Sequence, residues 1–239
     1  MAYAQKYFER AIELINEIES AETEKIQKVA TVTAQSIMDG GILHLFGSGH
    51  SAIPTQEVYI RAGSLSNTRP ISLEKFLDSF ERIEGVGKAL MRGFDGKKGE
   101  VLIVFSNSGV NPLPIEVAQV GKKLGLFTVC VCSFEHTAKA EPRLADHTRL
   151  RDVVDVAIDS HAPYGDAGLQ MPGLSMPFGP LSTIAGVSIV NAIIAETIEK
   201  LVAAGVTPPV RISRNTPGGD SHNLQFQEKY ADRIPDLRL

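Results

Sequence analysis

The sequence predicts an α/β protein in which a mostly parallel sheet lies between two layers of helices, with long helices before the first strand. Two observations lead to this fold class. Short apolar runs, of which 101–105 is the clearest, alternate along the chain with segments of helical periodicity. These runs are apolar on both faces, which is typical of parallel strands that are covered by helices on either side.

The segment from Tyr3 to Met38 contains neither glycine nor proline, and its apolar residues recur at helical spacing. We predict two helices here, with a break near Ser20. The first helix has an apolar stripe that is too hydrophobic to face water in a monomer. The stripe consists of Tyr7, Phe8, Ile12 and Ile15. We therefore expect a homodimer or homotetramer that buries it.

The chain then alternates strands and helices as far as residue 204. The predicted strands are 42–46, a weaker one at 68–72, 101–105, 126–131 and 153–158. The predicted helices are one that opens near Pro54, 82–91, 114–124 and 182–204. Residues 160–181 hold four prolines and four glycines and form a long loop, which in compact domains is usually functional or disordered. We expect one domain over 1–239, with N-terminal helices at 3–38, a core at about 34–204, and a polar tail at 205–239 with a short helix at 224–230.

Composition excludes several classes of protein. The chain has 239 residues, of which 43% are hydrophobic and 22% are charged, so it is not intrinsically disordered. Its net charge of -4 argues against a nucleic acid or an anionic membrane as a partner held by bulk charge. It shows no signal peptide and no apolar stretch of about 20 residues, so we expect a cytoplasmic protein with no membrane partner.

The two cysteines, Cys130 and Cys132, lie two residues apart in an apolar run. That spacing on a strand is poor disulfide geometry, and we expect both to be buried as small hydrophobic residues. The sequence has no Cys-x-x-Cys pair and no His-x-x-x-His spacing, so it predicts no metal site.

Two loops rich in small and hydroxyl residues follow successive strong strands. They are Gly47-Ser-Gly-His-Ser51 and Ser106-Asn-Ser-Gly-Val-Asn111, and each leads into a predicted helix. In an open parallel sheet, ligands bind outside the carboxyl ends of the strands, where both loops lie. Backbone N–H groups, serine hydroxyls and a positive helix end together suit a phosphate group. The two loops therefore predict a phosphate site.

The first loop also fits a dinucleotide-binding fingerprint through Gly47, Gly49 and Ala52. That fingerprint requires an acidic residue about 20 residues later, at the end of the next strand. No acidic residue occurs there before Glu74, although Arg69 is a candidate to receive a 2′-phosphate. An NAD(P)-dependent enzyme is the weaker interpretation, because it leaves the second loop unexplained.

The two loops resemble those of the SIS (sugar isomerase) domain family, in which a Ser-x-Ser-Gly loop and an upstream Gly/Ser-rich loop hold a sugar phosphate. The resemblance runs from about Ala34 to Leu201, and the whole chain resembles a subgroup known only as sugar isomerase-like. It implies a flavodoxin-like sheet and a small-molecule sugar-phosphate ligand. The residues that it places around the phosphate are Ser48, Ser51, Ser106, Asn107 and Ser108. Asn111 stands where the family often has Thr or Ser, and its amide can still donate.

The phosphoheptose isomerases of this superfamily are more distantly similar. They have His and Glu metal ligands on the helix after the first loop, and Gln and His on the last helix. Here the first of these helices reads Gln56-Glu57-Val-Tyr-Ile-Arg61, and the last helix has no histidine. The sequence therefore predicts neither a zinc ion nor another cofactor.

Isomerisation of an aldose to a ketose needs a base that moves a proton between adjacent carbons. The candidates are Glu57 after the first loop, His50 within it and His222 on the tail. For Glu57 the alternative role is an ion pair with Arg61. For His50 the alternative is a structural role in the turn, and for His222 it is a position on the solvent-exposed surface. Because the tail has too few apolar residues for a core role, we expect it to dock at a pocket mouth, of this chain or a neighbouring subunit, and to place His222 near the sugar.

These observations together predict a protein that binds a phosphorylated sugar or amino sugar and isomerises it between aldose and ketose. A non-catalytic sugar-phosphate sensor that uses the same pocket is the first alternative. An NAD(P)-dependent enzyme is the second.

Overall fold

A parallel sheet forms the centre of the structure, a computed structural model that describes residues 2–71, 80–234 and 237. Within these residues the strands are β1 Leu43–Gly47, β2 Thr68–Ile71, β3 Val101–Phe105, β4 Phe127–Cys132 and β5 Val156–Asp159. Their order across the sheet is β2-β1-β3-β4-β5, and every pair is parallel. The chain order reverses between β1 and β3, which opens a crevice at their carboxyl ends. The predicted α/β fold class is confirmed.

Helices cover both faces of the sheet. They are α1 Tyr3–Met38, α2 Ile53–Glu57, α3 Val86–Leu90, α4 Pro112–Lys123, α5 Phe134–Lys139, α6 Leu150–Val153, α7 Ser182–Ala203 and α8 Gly219–Tyr230. The side chains of β3 alternate between two apolar cores: Val101, Ile103 and Phe105 pack with α1 and α7. Leu102 and Val104 pack with α3, α4 and α6 on the other face. β3 is therefore buried on both sides, as its composition predicts.

The N-terminal segment is one continuous helix, so the prediction of two helices with a break near Ser20 is wrong. The hydroxyl of Ser20 donates to the carbonyl of Glu17 at 3.0 Å, so this serine is accommodated within the helix. One residue of the predicted apolar stripe is packed within the chain, and the other three are exposed. Tyr7 packs against the core and donates to the carbonyl of Pro180 at 2.7 Å. The residues that remain exposed are Phe8 at 66%, Ile12 at 59% and Ile15 at 40%.

Two predicted elements differ in extent. The helix predicted at 82–91 is a 3-10 turn, Phe80–Arg82, followed by α3 after a break at Gly85. Gly85 has φ of +91°, a conformation that interrupts a right-handed helix and that glycine adopts without strain. The strand predicted at 153–158 begins later, because residues 150–153 form α6 and only Val156–Asp159 pairs with β4. Ser72, the last residue of the predicted second strand, lies outside the described residues.

The tail has a core role, contrary to the expectation from its composition. Its helix, α8, is longer than predicted. Phe226 and Tyr230 of this helix pack, together with Ile234 and Leu237, on Ile42, the residue before β1. The tail therefore covers the amino-terminal end of the sheet, opposite to the crevice.

Both cysteines are buried and unoxidised, with their Sγ atoms 3.9 Å apart, as predicted. No helix within the described ranges is both long enough and apolar enough to cross a bilayer.

Candidate functional site

The two predicted phosphate loops begin side by side at the crevice. In the register of the sheet Gly47, at the end of β1, lies beside Phe105, at the end of β3. The first loop turns at once into a 3-10 helix, Gly49–Ala52. A Cβ atom on Gly47 would lie 2.0 Å from the carbonyl oxygen of Ser51, so only glycine permits this turn.

The second loop, 106–111, is held in shape by its own turn and by the chain after β4. The backbone N–H of Gly109 donates to Ser106 Oγ at 3.3 Å, and Gly109 has φ of +64°. The carbonyl of Asn107 accepts from the N–H of Ser133 at 3.0 Å. The carbonyl of Ser108 accepts from Thr137 Oγ1 at 2.9 Å. These contacts fix the backbone of the loop and therefore the positions from which its side chains project.

Helix α4 starts directly after this loop, but its first turn offers few backbone donors. Pro112 and Pro114 have no N–H, so of the first three residues of α4 only Leu113 provides one. Asn111 occupies the N-cap position without a capping bond from its side chain. An anion at this place would therefore depend on the loop N–H groups and on side-chain donors more than on the helix end.

A narrow cavity lies between the two loops and the start of α7. Four of the predicted phosphate-site and catalytic residues line it: His50, Ser51, Ser106 and Asn107. Ser182 and Thr183 of α7 and Ser160 after β5 contribute further hydroxyls. The volume is about 20 Å³, which suits a water molecule or part of a phosphate group but not a sugar.

A wider depression lies on the other side of the second loop, with Ser108 and Asn111 in its wall. Its volume is about 690 Å³, which is within the usual range for a small-molecule site. His136 and Tyr164 line it as well, and their rings meet edge to face with centroids 4.9 Å apart. Burial lowers the pKa of His136, an effect that Asp166 and Glu135 only partly oppose.

A carboxylate that the sequence does not single out joins the two loops. Glu81 accepts a hydrogen bond from Ser48 Oγ at 2.8 Å and another from Asn111 Nδ2 at 3.3 Å. Glu81 is half-buried and lies in the 3-10 turn before α3. The structure thus brings Ser48 and Asn111 together through an acid that is distant from both in sequence.

Two of the predicted catalytic residues are not brought to the cavity within the chain. Glu57, the last residue of α2, pairs with Arg61 at 3.0 Å, which is the alternative role considered for it. The ring of His222 bonds the carbonyl of Val210 through Nε2 at 2.9 Å and packs on Phe226. Val210 bridges to the segment before β2, so His222 belongs to the packing of the tail. His50, by contrast, is exposed at the cavity.

The dinucleotide interpretation gains no support from Arg69. Its guanidinium is paired with Asp95 and lies 5.9 Å from the ring centre of Phe94. Glu74, the first acid after the strand, is outside the described residues.

Comparison with known proteins decides the family. The sequence model of the SIS domain matches residues 6–133, more than half of the chain. The chain belongs to the SIS domain family. Among curated relatives, this SIS protein is 37% identical over 240 residues to the UPF0309 protein GK1441 of Geobacillus kaustophilus, covering 97% of this chain and 96% of that protein. It is 38% identical over 241 residues to the UPF0309 protein lin2794 of Listeria innocua, covering 98% of each.

Solved structures share the SIS fold at low sequence identity. The phosphoheptose isomerase GmhA of Neisseria gonorrhoeae aligns with a TM-score of 0.57 at 15% identity, over 82% of this chain and 97% of that one. The NanR protein of Vibrio vulnificus, complexed with ManNAc-6P, aligns with a TM-score of 0.51 at 10% identity, over 98% of this chain and 70% of that one. Identities this low show a common fold.

The described part of this SIS domain contains no group of three or more His, Cys, Asp or Glu side chains placed to hold a metal ion. The polar groups gathered at the crevice are mainly neutral hydroxyls and amides, with Glu81 and His50 as the titratable groups beside them.

Proposed function

We propose that this SIS domain binds a phosphorylated sugar or amino sugar at the crevice between β1 and β3 and isomerises it between aldose and ketose. The observation that carries the proposal is the pair of hydroxyl-bearing loops, 47–51 and 106–111, side by side at the point where the strand order reverses. Ligands of open α/β sheets bind at such a switch point. Two SIS-fold structures are a phosphoheptose isomerase and a protein complexed with ManNAc-6P, which supports the ligand class.

The phosphate would be held by neutral donors. Ser106 and Ser108 supply hydroxyls from the second loop, and Ser51 supplies one from the first. Hydrogen bonds to a charged acceptor contribute about 1.5–3 kcal/mol each, which allows a phosphate to bind here without a paired cation. Asn107 and Asn111 add side-chain amides at either end of the loop.

The sugar would lie in the wider depression. The cavity between the loops, at about 20 Å³, is too small for a six-carbon chain, whereas the depression measures about 690 Å³. The second loop separates the two spaces and faces both of them. A phosphate on this loop would therefore leave its sugar in the depression.

Proton transfer would fall to Glu81, with His50 as a second group. A serine hydroxyl or an asparagine amide is not a base at neutral pH, whereas a carboxylate is. Glu81 bonds to Ser48 and Asn111, one residue from each loop, and so lies where the phosphate end meets the depression. His50 lines the narrow cavity on the other side of the second loop, where an imidazole is suited to relay a proton.

The second candidate function is binding without turnover, as in a sensor of sugar phosphates. The placement of Glu57 and His222 favours it, because both residues pair within the chain away from the cavity. The two candidates share the phosphate site and differ only in turnover.

A thermal-shift panel of sugar phosphates, amino-sugar phosphates, NAD and NADP, followed by NMR detection of turnover for the best binder, tests the proposal. The double variant Ser106→Ala/Ser108→Ala is expected to weaken that ligand by about 1–3 kcal/mol for each lost bond. The control Ser20→Ala removes an exposed hydroxyl from α1 and is expected to bind normally. Unchanged affinity in the folded double variant would remove the phosphate assignment. Binding without turnover selects the sensor.

A further inference from the structure

Three cationic side chains line the depression beside the second loop. They are Arg82, Lys139 and Arg143, and the lining contains one carboxylate, Glu141. Two further carboxylates contact the lining residues: Glu135 pairs with Lys139, and Glu81 accepts a hydrogen bond from Asn111. A lining cation that has no carboxylate partner favours an anionic ligand at that place.

The two arginines are the lining cations without a partner among the described residues. Lys139 is already paired, since its ammonium lies 2.5 Å from the carboxylate of Glu135. The guanidinium groups of Arg82 and Arg143 make no ion pair and no hydrogen bond with any residue that the structure describes. Their charges are therefore available to a ligand. A guanidinium also matches the geometry of a carboxylate or a phosphate, because it donates two parallel hydrogen bonds.

A backbone hydrogen bond attaches Arg143 to the phosphate loop. The backbone N–H of Arg143 donates to the carbonyl of Val110 at 3.2 Å. In α5, whose residues His136 and Lys139 also line the depression, the hydroxyl of Thr137 donates to the carbonyl of Ser108 at 2.9 Å. Both Arg143 and α5 are thus attached to loop 106–111, the loop that we assign to the phosphate.

The segment that contains Arg82 is attached to the segment that contains Arg143. Glu84, two residues after Arg82, accepts a hydrogen bond from the backbone N–H of Ala145 at 3.2 Å. Ala145 follows Arg143 by two residues. The two arginines therefore belong to segments that are joined to each other by this hydrogen bond.

We propose that the depression binds a second anionic group of the ligand, a carboxylate or a second phosphate, and that Arg82 and Arg143 hold it while loop 106–111 holds the first phosphate. This inference rests on the proposed sugar-phosphate site and narrows its ligand to a sugar phosphate with a further acidic group. Serine loops alone bind any sugar phosphate, whereas two further cations in the same depression distinguish the doubly acidic ligands.

Two matched pairs of ligands test the proposal by calorimetry on the full chain at fixed ionic strength. Sorbitol 6-phosphate and 6-phosphogluconate differ at C1, where a hydroxymethyl group replaces a carboxylate. Fructose 6-phosphate and fructose 1,6-bisphosphate differ by a second phosphate. We expect the more acidic member of at least one pair to bind about tenfold tighter. The pair that shows the gain identifies the group as a carboxylate or a phosphate.

The variant Arg82→Gln/Arg143→Gln is expected to lose this preference and to bind the singly acidic ligand as the wild type does. Arg92→Gln, which removes an exposed arginine that does not line the depression, is the control. If the singly acidic ligands bind but neither pair shows a gain, the second anion site is wrong and the proposed function stands. A gain that survives in the double variant also overturns the assignment. If no phosphate ester binds, the proposed function itself fails, and this inference fails with it.

Discussion

Arg233, close to the end of the described chain, binds Glu100, the residue immediately before β3. Its Nη2 donates to Glu100 Oε2 at 3.0 Å, and its Nη1 donates to the other carboxylate oxygen. Glu100 also accepts from the ring of His44 and is almost fully buried. Burial alone would raise the pKa of Glu100, but the hydrogen bonds from His44 and Arg233 outweigh it and hold the pKa well below its usual range. The tail is thus fastened to the central strand of the sheet by an ion pair whose carboxylate is buried.

Replacing Arg233 is expected to destabilise the protein. Arg233→Leu leaves the Glu100 carboxylate buried without its cation, and removal of one partner from such a pair costs about 3–5 kcal/mol. Urea unfolding followed by circular dichroism measures the loss. Arg92→Leu, at an exposed arginine, is the control and is expected to change the free energy of unfolding by less than about 0.5 kcal/mol. Equal stabilities of the two variants would contradict the role of this pair.

Acidification is expected to destabilise the protein through its buried histidine. Burial lowers the pKa of His44, although the hydrogen bond with Glu100 opposes the effect. Below pH of about 6.5 the unfolded chain therefore binds a proton that the folded chain does not, so stability falls as the pH falls. The slope for this group is at most about 1.4 kcal/mol per pH unit.

Glu100 contributes nothing to this slope near neutrality. Its folded pKa is lowered, so its contribution is complete above the unfolded value of about 4.3 and is lost only in stronger acid. Urea unfolding at pH 7.5, 6.5 and 5.5, together with NMR titration of the His44 ring in the folded protein, checks the account. A His44 midpoint at or above pH 6.5 would be incompatible with it.

The exposed part of the N-terminal apolar stripe is expected to be an interface between subunits. Phe8, Ile12 and Ile15 lie on one helix and are 66%, 59% and 40% exposed in the single chain. Light scattering is expected to give at least twice the chain mass of 25.8 kDa, and Phe8→Glu/Ile12→Glu is expected to lower it. Val202→Glu, at a residue that is 60% exposed on α7, is the control. A stable wild-type protein at the mass of one chain would refute the prediction.

Local patterns are enough to predict the sheet and the two loops. The run at 101–105 is apolar on both faces, and it forms β3 with both faces buried. The shared location of the two loops can also be predicted, because a parallel sheet puts the carboxyl ends of its strands at one edge. The continuity of helix α1 could also be predicted from the sequence. The segment has no glycine or proline, and a serine alone does not end a helix.

Features that depend on distant contacts are not visible in local patterns. The four tail residues of this small core are spread over twelve positions, and they become a core only because Ile42 lies beneath them. Glu81 lies in the charged stretch 81–84, which is typical of a solvent-exposed face. Its contacts with Ser48 and Asn111 span 33 and 30 residues. Such contacts are set by the packing of whole elements, so no spacing rule finds them.

The choice of catalytic base is tested by three single variants assayed on the same sugar phosphate. Glu81→Gln is expected to lower kcat by about 10²–10⁴-fold, the usual contribution of a general base, with a smaller change in KM. Glu57→Gln is the matched control, because it neutralises a carboxylate whose partner is Arg61 and not a residue of either loop. His222→Asn serves the same purpose for the tail, where the ring bonds Val210. If Glu57→Gln or His222→Asn loses as much kcat as Glu81→Gln does, Glu81 is not singled out as the base, and the affected residue is again a candidate. Full activity of Glu81→Gln would leave Glu81 with the sole role of joining the two loops.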